Sequence, residues 1–212
     1  MSSFMTEAEP GRESSRKTVP GPILLVGAPG SGKGTQGKIL GSIPNFYHFS
    51  CGELFRNLTP DTELGKIFLD YSSRGQLVPD EPTIRLWLHT IESSEHSGRF
   101  NRKTVTLVLD GIPRNIQQAR MLKGLVNVQH VFFLRCADMK KLVARLQRRA
   151  LRENRLDDAN IKVIRQRLQT YEQETRPVLE FYGPKLVRTI DSTETPINVL
   201  REILGVLARS AP

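Results

Sequence analysis

The chain has 212 residues and a formal net charge of +9, from 31 Lys and Arg against 22 Asp and Glu. This length supports one domain with a proper hydrophobic core, and no apolar run approaches the roughly 20 residues that would span a bilayer, so a membrane span is excluded. The positive charge suits a nucleic-acid-binding protein and equally an enzyme that gathers two polyphosphates, and it does not choose between them.

Residues 1–20 are polar and show no hydrophobic period, which predicts a disordered tail. The tail contains acidic residues and no apolar segment, so it fits neither a transit peptide nor a secretory signal. Residues 21–212 are predicted to form a single domain.

Short apolar runs alternate with helical patterns from residue 21 onward, which is typical of a parallel sheet with crossover helices. The predicted strands are Ile23–Val26, Tyr47–Phe49, Val105–Leu109, Val131–Leu134 and Leu186–Ile190. Several of these are continuous apolar runs, which indicates strands covered on both faces. The sequence therefore predicts a three-layer α/β fold with a parallel sheet of about five strands and helices on both faces.

Helical periodicity fills the segments between these strands. The apolar positions that carry it are Ile67, Phe68 and Tyr71, then Ile84, Leu88 and Ile91, and later Ile161, Ile164, Leu168 and Tyr171. Three helix starts are also marked: by a capping box of Ser50 and Glu53, by Asp80 before Glu81-Pro82, and by Thr195-Pro196.

The cysteines and histidines indicate neither a disulfide framework nor a metal cage. Cys51 and Cys136 are isolated, so we interpret them as reduced thiols and expect a cytoplasmic protein. The four histidines show no ligand spacing, and no protein-built metal site is expected from them.

A glycine-rich loop follows the first predicted strand directly and leads into a helical pattern. It reads Gly27-Ala-Pro-Gly-Ser-Gly-Lys-Gly-Thr-Gln36, which contains G-x4-G-K in the context of strand, loop and helix that this motif requires. Glycines let backbone amides turn toward an anion, and Lys33 adds a full positive charge, so the loop is predicted to hold a polyphosphate. Gly34 replaces the Ser or Thr that usually follows the lysine, which argues against a GTPase or a motor ATPase.

This loop, with lysine, glycine and threonine in that order, resembles the phosphate loop of adenylate kinases. Four further segments resemble the same family in the expected chain order: Ser50-Cys-Gly-Glu-Leu-Phe-Arg56, Gly75-Gln-Leu-Val-Pro79, Leu109-Asp-Gly-Ile-Pro-Arg114, and Arg155-Leu-Asp-Asp158 leading to Arg167-Leu-Gln-Thr-Tyr171. The resemblance covers the chain from about Gly21 to its C-terminus. The chain is thus identified as a nucleoside monophosphate kinase of the adenylate kinase type, with a P-loop fold and a short lid.

The resemblance implies two nucleotide sites. The residues expected to bind ATP are Gly30, Ser31, Gly32, Lys33, Gly34, Thr35 and Arg145, the last of them over the adenine. The residues expected to bind AMP are Cys51, Arg56, Val78, Gly111, Arg114 and Gln118, with the two arginines forking its phosphate. Asp110 ends an apolar strand at the edge where ligands of α/β sheets bind, so it is predicted to hold water around the Mg²⁺ that accompanies ATP.

A short lid at about residues 149–158 and a monophosphate-binding segment at about residues 50–79 are expected to move as hinged elements. Ala159 looks like one inserted residue before the next helix, and Ala150 stands where the family commonly has glycine, so a stiffer lid hinge is expected. The lid is too short for the zinc-bearing insert of many bacterial relatives.

No catalytic base is predicted, because the acceptor phosphate is already largely ionised at neutral pH. Catalysis is expected to come from positioning and positive charge. Besides Mg²⁺, the cations that the resemblance implies are Lys33, Arg114, Arg149, Arg155 and Arg167.

The sequence leaves the identity of the monophosphate open. Gln118 stands where adenylate kinases have a glutamine that pairs with adenine, which favours AMP. Cys51, in place of the usual threonine, and Asn115 resemble the UMP/CMP kinases instead. ATP and AMP are the predicted substrates, a UMP/CMP kinase is the first alternative, and a non-catalytic basic P-loop protein is the second. No nucleic-acid-binding signature is present, and a monomer is expected.

Overall fold

The computed structural model describes residues 19–153 and 155–210. The tail predicted for residues 1–20 lies outside the described residues except for Val19–Pro20, which form strand β1. The remaining elements are, in chain order, β2 (Ile23–Val26), α1 (Lys33–Gly41), β3 (Phe46–Ser50), α2 (Cys51–Arg56), α3 (Glu63–Ser73), α4 (Asp80–His96), β4 (Thr106–Asp110), α5 (Ile116–Lys123), β5 (Val126–Asn127), β6 (His130–Arg135), α6 (Met139–Glu153), α7 (Leu156–Ala159), α8 (Ile161–Thr170), a π-helical turn (Tyr171–Thr175), α9 (Val178–Leu186), β7 (Val187–Asp191) and α10 (Pro196–Ser210). Within the described ranges, no helix combines the length and apolar character needed to cross a bilayer.

Five parallel strands form the central sheet in the order β3-β4-β2-β6-β7, which confirms the predicted α/β sheet. Strand β2 has the predicted bounds, whereas β4 and β7 each begin one residue later than expected. Because β2 lies between β4 and β6, the strand order reverses at its carboxyl end, and ligands of open α/β sheets bind at such a point. The glycine-rich loop begins there.

Helices cover both faces of this sheet. Along β2, Leu24 packs in a cluster with Trp87 of α4, while its neighbour Ile23 packs in a second cluster with Leu40 of α1 and Ile203 of α10. Alternate residues of one strand are therefore buried on opposite faces, as the continuous apolar runs predict. This burial fixes the strand ends that carry the site.

A third cluster lies over the carboxyl end of the sheet. It joins Ala28 of the glycine-rich loop to apolar residues of α6, α8 and the π-helical turn. A Cβ built at Gly30 would lie 3.0 Å from the Leu142 carbonyl and 3.2 Å from Leu146 Cγ of α6. Only glycine permits this close approach, so helix α6 holds the loop in place.

Helices begin at all three predicted starts. The Ser50 hydroxyl accepts a hydrogen bond from the Glu53 amide at 3.3 Å, and Thr195 Oγ1 accepts one from the Asn198 amide at 3.3 Å. Asp80 is the first residue of α4, and Pro79 is its N-cap. The Asp80 carboxylate is therefore available for contacts with another helix.

Candidate active site

One cavity of about 600 Å³ opens at the carboxyl ends of β2, β3 and β4. It is lined by the glycine-rich loop, helix α2, residues 75–78, the turn after β4, and arginines of α6 to α8. Every residue that the sequence predicts for ATP, AMP, Mg²⁺ or catalysis lines this cavity. The fold thus brings together residues that are as much as 137 positions apart in sequence, from Gly30 to Arg167.

The glycine-rich loop turns back on itself between β2 and α1. Gly30 and Gly32 have φ angles of 84° and 98°, in the left-handed region that favours glycine. Lys33 donates hydrogen bonds to the carbonyl oxygens of Gly27 at 2.6 Å and Ala28 at 3.0 Å. The Ser31 hydroxyl is buried and has no hydrogen-bond partner among the described residues. A buried hydroxyl of this kind calls for a partner, and an anion held by the loop would supply one.

Positive charge converges on Lys33 from three other elements. Burial lowers the pKa of Lys33 to about 8, and the Asp110 carboxylate opposes that shift. Three guanidinium groups contribute to this lowering, those of Arg114, Arg149 and Arg167. Like charges interact this way only when they are close, so these four cations face a common space.

Asp110 ends β4 beside the first turn of α1. Its Oδ2 lies 3.9 Å from His48 Nε2, which is an electrostatic contact and longer than a hydrogen bond. Burial would raise the pKa of Asp110, but the neighbouring His48 and the charge of Lys33 lower it below its ordinary value. The group is therefore an ionised carboxylate next to the phosphate loop, which is what a nucleotide-bound Mg²⁺ usually takes from a protein.

Arg56 and Arg114 come together over Gly52 of α2. A Cβ built at Gly52 would lie 3.1 Å from Arg56 Nη1 and 3.7 Å from Arg114 Nη2. Arg114 Nε donates to the Gly111 carbonyl at 2.9 Å, which fixes the direction of its guanidinium group. The pair predicted to grip one phosphate is thus adjacent in the structure.

The walls beside this pair contain Cys51 and Gln118. Burial raises the pKa of the Cys51 thiol to about 11, so the side chain is neutral and contributes little hydrogen bonding. The Gln118 side chain is 1% exposed. Its amide oxygen accepts from the Arg114 backbone N–H at 2.7 Å, and its amide nitrogen donates to Asp80 Oδ1 at 2.9 Å. Sequence analysis did not foresee this role of Asp80.

The lid arginines are held by two neighbouring aspartates. Arg149 Nε donates to Asp158 Oδ2 at 2.7 Å, and Arg155 Nη2 donates to Asp157 Oδ2 at 2.7 Å. Arg167 Nη1 lies 2.8 Å from Asp157 Oδ2 and also donates to Asp158 Oδ1. Three cations therefore share two carboxylates, and this lid cluster (Arg149, Arg155, Asp157, Asp158 and Arg167) keeps a net positive charge.

The extra residue near Ala159 does not separate Arg167 from the lid cluster. Helix α7 ends at Ala159, and Asn160 adopts an extended conformation between α7 and α8. The Asn160 side chain then caps α8 by accepting from the Lys162 amide at 2.9 Å. Helix α6 continues through Ala150 to Glu153.

A contact between helix α8 and the segment at residues 50–79 was not predicted. Thr170 Oγ1 donates to the Gly75 carbonyl at 3.1 Å, directly before the π-helical turn Tyr171–Thr175. A Cβ built at Gly75 would lie 3.1 Å from Arg167 Cγ. The segment therefore touches the helix that carries Arg167.

A model of the adenylate kinase family matches residues 25–187 of the chain. The adenylate kinase of Thermobifida fusca is 38% identical over 176 residues, covering 80% of this chain and 89% of the relative. That of Azobacteroides pseudotrichonymphae is 37% identical over 168 residues, covering 77% and 84%. That of Streptomyces coelicolor is 32% identical over 220 residues, covering 88% and 98%. With a family match over most of its length, the chain belongs to the adenylate kinase family, the enzymes of which transfer phosphoryl groups between nucleotides.

Proposed function

We propose that this chain catalyses the reversible transfer of a phosphoryl group from ATP, as its Mg²⁺ complex, to AMP, giving two ADP. The observation that carries the proposal is that the phosphate loop around Lys33 and the Arg56–Arg114 pair line one cavity. The three arginines of the lid cluster line the same cavity. Two anion sites with a third group of cations are what an in-line transfer between two phosphates needs.

The role of each group follows from its position. Lys33 and the loop amides would bind the phosphates of ATP, and Arg145, whose Nη1 is 3.5 Å from the Gly30 carbonyl, would lie over its adenine. Arg56 and Arg114 would hold the AMP phosphate. Arg149, with a buried Nη2 that has no hydrogen-bond partner among the described residues, would reach the transferred group.

Mg²⁺ would be held through water by Asp110 and would neutralise charge on the ATP phosphates. The described residues contain no cluster of three or more His, Cys, Asp or Glu side chains suited to a metal. The ion would therefore depend on oxygen atoms of the nucleotide, which is the usual arrangement for Mg²⁺.

Movement is part of the proposal, because a site that encloses two nucleotides must open to release them. Residues 50–79 and residues 149–158 would be the moving segments of a single kinase domain. The hydrogen bond from Thr170 to the Gly75 carbonyl links the first segment to the helix that carries Arg167. We also propose that the enzyme is a monomer. A cytoplasmic location is proposed because Cys51 and Cys136 are both free thiols.

A panel of monophosphates tests the proposed acceptor. With ATP and Mg²⁺, AMP is expected to exceed UMP, GMP and dTMP in kcat/KM by at least about tenfold, because a base with the wrong hydrogen-bonding edge mispairs with a buried amide such as that of Gln118, which costs about 1.4 kcal/mol or more. AMP is expected to exceed CMP as well, and since cytosine presents the same edge as adenine, that preference would come from the shape of the cavity. Steady-state rates measured with a coupled ADP assay give the ranking. A higher kcat/KM for CMP or UMP would support the pyrimidine alternative that Cys51 and Asn115 suggest.

The pKa of Lys33 predicts a pH dependence of nucleotide binding. Because burial lowers that pKa to about 8, the free protein loses the ammonium charge as the pH rises through 8, whereas bound phosphates would keep it protonated. Affinity for ATP without Mg²⁺ is therefore expected to fall more than about tenfold between pH 8 and pH 9.5. Calorimetric titrations across this range test it, and Lys33→Met should show a much flatter profile.

The lowered pKa of Lys33 changes the stability of the fold with pH in the opposite direction from its effect on ATP affinity. Since the pKa of Lys33 is lower in the folded protein than in the unfolded chain, this group destabilises the fold below pH 8, and that penalty disappears as the pH rises. Its contribution cannot make the protein unfold as the pH rises from 8 to 9.5. If the affinity of the Lys33→Met variant for ATP fell with pH as steeply as that of the wild type, the assignment of this pH dependence to Lys33 would be wrong.

A further inference from the structure

The side-chain amide of Gln118 is held from two sides by groups of opposite hydrogen-bonding type. On one side the Arg114 backbone N–H donates to Oε1 at 2.7 Å. On the other side Nε2 donates to Asp80 Oδ1 at 2.9 Å. A backbone N–H can only donate, and a carboxylate can only accept. The orientation of this amide is therefore set by its partners, and rotating it by 180° would replace both hydrogen bonds with repulsive contacts.

Asp80 is itself held in place. Asn115, the N-cap of α5, accepts from the Gln118 backbone N–H at 2.8 Å and donates from Nδ2 to Asp80 Oδ1 at 2.8 Å. One carboxylate oxygen thus receives two amide N–H groups. Burial and the negative charge of the Asp80 carboxylate raise the pKa of Glu174, so Glu174 lies near Asp80. The carboxylate connects the first turn of α4 to the start of α5.

Gln118 lines the cavity, while Asp80 and Asn115 lie behind it and do not. An amide oxygen has two lone pairs and an amide nitrogen has two N–H groups. The protein uses one of each, so one lone pair and one N–H remain for a base in the cavity. Their polarity is fixed by Asp80 and by the Arg114 N–H.

We infer that Asp80, acting through the Gln118 amide, is a positioning residue that makes the enzyme select bases with an amino group over bases with an oxo group at the same place. This inference rests on the proposed binding of a monophosphate base beside Gln118. Adenine offers an amino donor next to a ring-nitrogen acceptor, which matches the remaining oxygen lone pair and N–H. Hypoxanthine offers an oxo acceptor next to a ring N–H, which is the reverse pattern.

Pairing with the reverse pattern requires the amide to rotate. Oε1 would then face the Asp80 carboxylate, and Nε2 would face the Arg114 N–H. Without Asp80, only the Arg114 N–H opposes the rotation, so discrimination should weaken. Cytosine shows the adenine pattern and uracil the hypoxanthine pattern. The arrangement therefore distinguishes amino from oxo bases and leaves the choice between purine and pyrimidine to the shape of the cavity.

The test compares AMP with IMP, which differ only at the two base positions that the amide would read. In the unmutated enzyme AMP is expected to exceed IMP in kcat/KM by at least about a hundredfold. Asp80→Ala is expected to lower that ratio by about tenfold or more, mainly through a higher KM for AMP and a lower KM for IMP. Asp80→Asn, which keeps the size of the side chain and an acceptor oxygen, should lower it less and serves if the alanine variant does not fold.

Glu81→Gln is the matched control. Glu81 is the next residue in the first turn of α4, pairs with Arg85 at 2.5 Å, and is largely exposed. The Glu81→Gln substitution removes one negative charge near the same helix N-terminus as Asp80→Ala does, and it should leave the ratio of kcat/KM for AMP to that for IMP unchanged. A merely structural role of Asp80 would lower the rates with both substrates and the melting temperature together, without changing their ratio, and that result would overturn the inference.

Failure of the inference can be distinguished from failure of the proposed function. If the unmutated enzyme prefers AMP but the ratio is the same in both Asp80 variants, AMP is the substrate and Asp80 does not position the amide. If the unmutated enzyme prefers CMP, the AMP proposal fails, and the ratio of CMP to UMP then tests Asp80 in the same way. An unchanged ratio there would also overturn the inference.

Discussion

Replacing Lys33 with methionine is expected to abolish phosphoryl transfer, with kcat reduced by at least about a thousandfold. The ammonium lies across the phosphate loop, and methionine has a similar length without charge or donors. No other lysine contacts the loop in the hydrogen bonds of the described residues, so no second ammonium group takes its place within the loop. Initial rates of ADP formation at saturating nucleotide concentrations measure the loss.

The fold of this variant should survive. Lys33 donates to two loop carbonyls, and each lost hydrogen bond costs about 1 kcal/mol, but removing a buried charge offsets part of that cost. Lys123→Met, at the exposed end of α5, is the control for a general effect of removing a lysine. Turnover of Lys33→Met near that of the control would show that the phosphate-loop assignment is wrong.

The layers of the fold were predictable because their signals are local. The central strands β2, β4 and β6 contain short apolar runs, and burial on both faces selects such runs. The Val19–Pro20 and Val126–Asn127 pair was missed because two-residue strands are too short to show a period. The π-helical turn at Tyr171–Thr175 was not predicted, because the helical pattern that ends at Tyr171 shows no change of period at this position.

The site was predictable where a motif carries its own chemistry. Gly30, Gly32 and Lys33 lie within four residues of sequence, so the phosphate loop can be identified from the sequence without knowledge of tertiary contacts. The Gln118 amide depends instead on Asp80, a residue 38 positions earlier on another helix. The local sequence marks Asp80 as a helix start. Nothing in the local sequence indicates that the Asp80 carboxylate points toward α5.

The lid lies between these two cases. The sequence identifies the arginines through their motif. Their ion pairs with Asp157 and Asp158 depend on the position of helix α7 in the folded protein, which the motif does not indicate. Burial raises the pKa of Asp157, but the hydrogen bond from Arg155 and the charge of Arg167 outweigh burial, so the pKa of Asp157 lies below its ordinary value. Asp157 therefore stays ionised at neutral pH and holds Arg155 and Arg167 against their mutual repulsion.

Arg149→Ala is expected to lower kcat by about a thousandfold while changing KM for either nucleotide far less. Arg149 Nε donates to Asp158, whereas its buried Nη2 has no hydrogen-bond partner among the described residues. The guanidinium group is therefore held at Nε and, within the described part of the chain, keeps a free donor at Nη2. A group placed in this way would meet charge that develops on the transferred phosphoryl group. Single-turnover rates with ATP and AMP, compared with steady-state KM values, measure the two effects separately.

Arg149→Lys separates charge from geometry. Lysine restores the positive charge but cannot hold Asp158 and a phosphate oxygen at once, because it lacks the planar fork. It is therefore expected to recover less than about a tenth of the wild-type kcat. Arg165→Ala, on the exposed face of α8, is the control and should retain full activity. Full recovery with lysine would mean that Arg149 acts only as a charge, and an active alanine variant would remove it from the transfer step altogether.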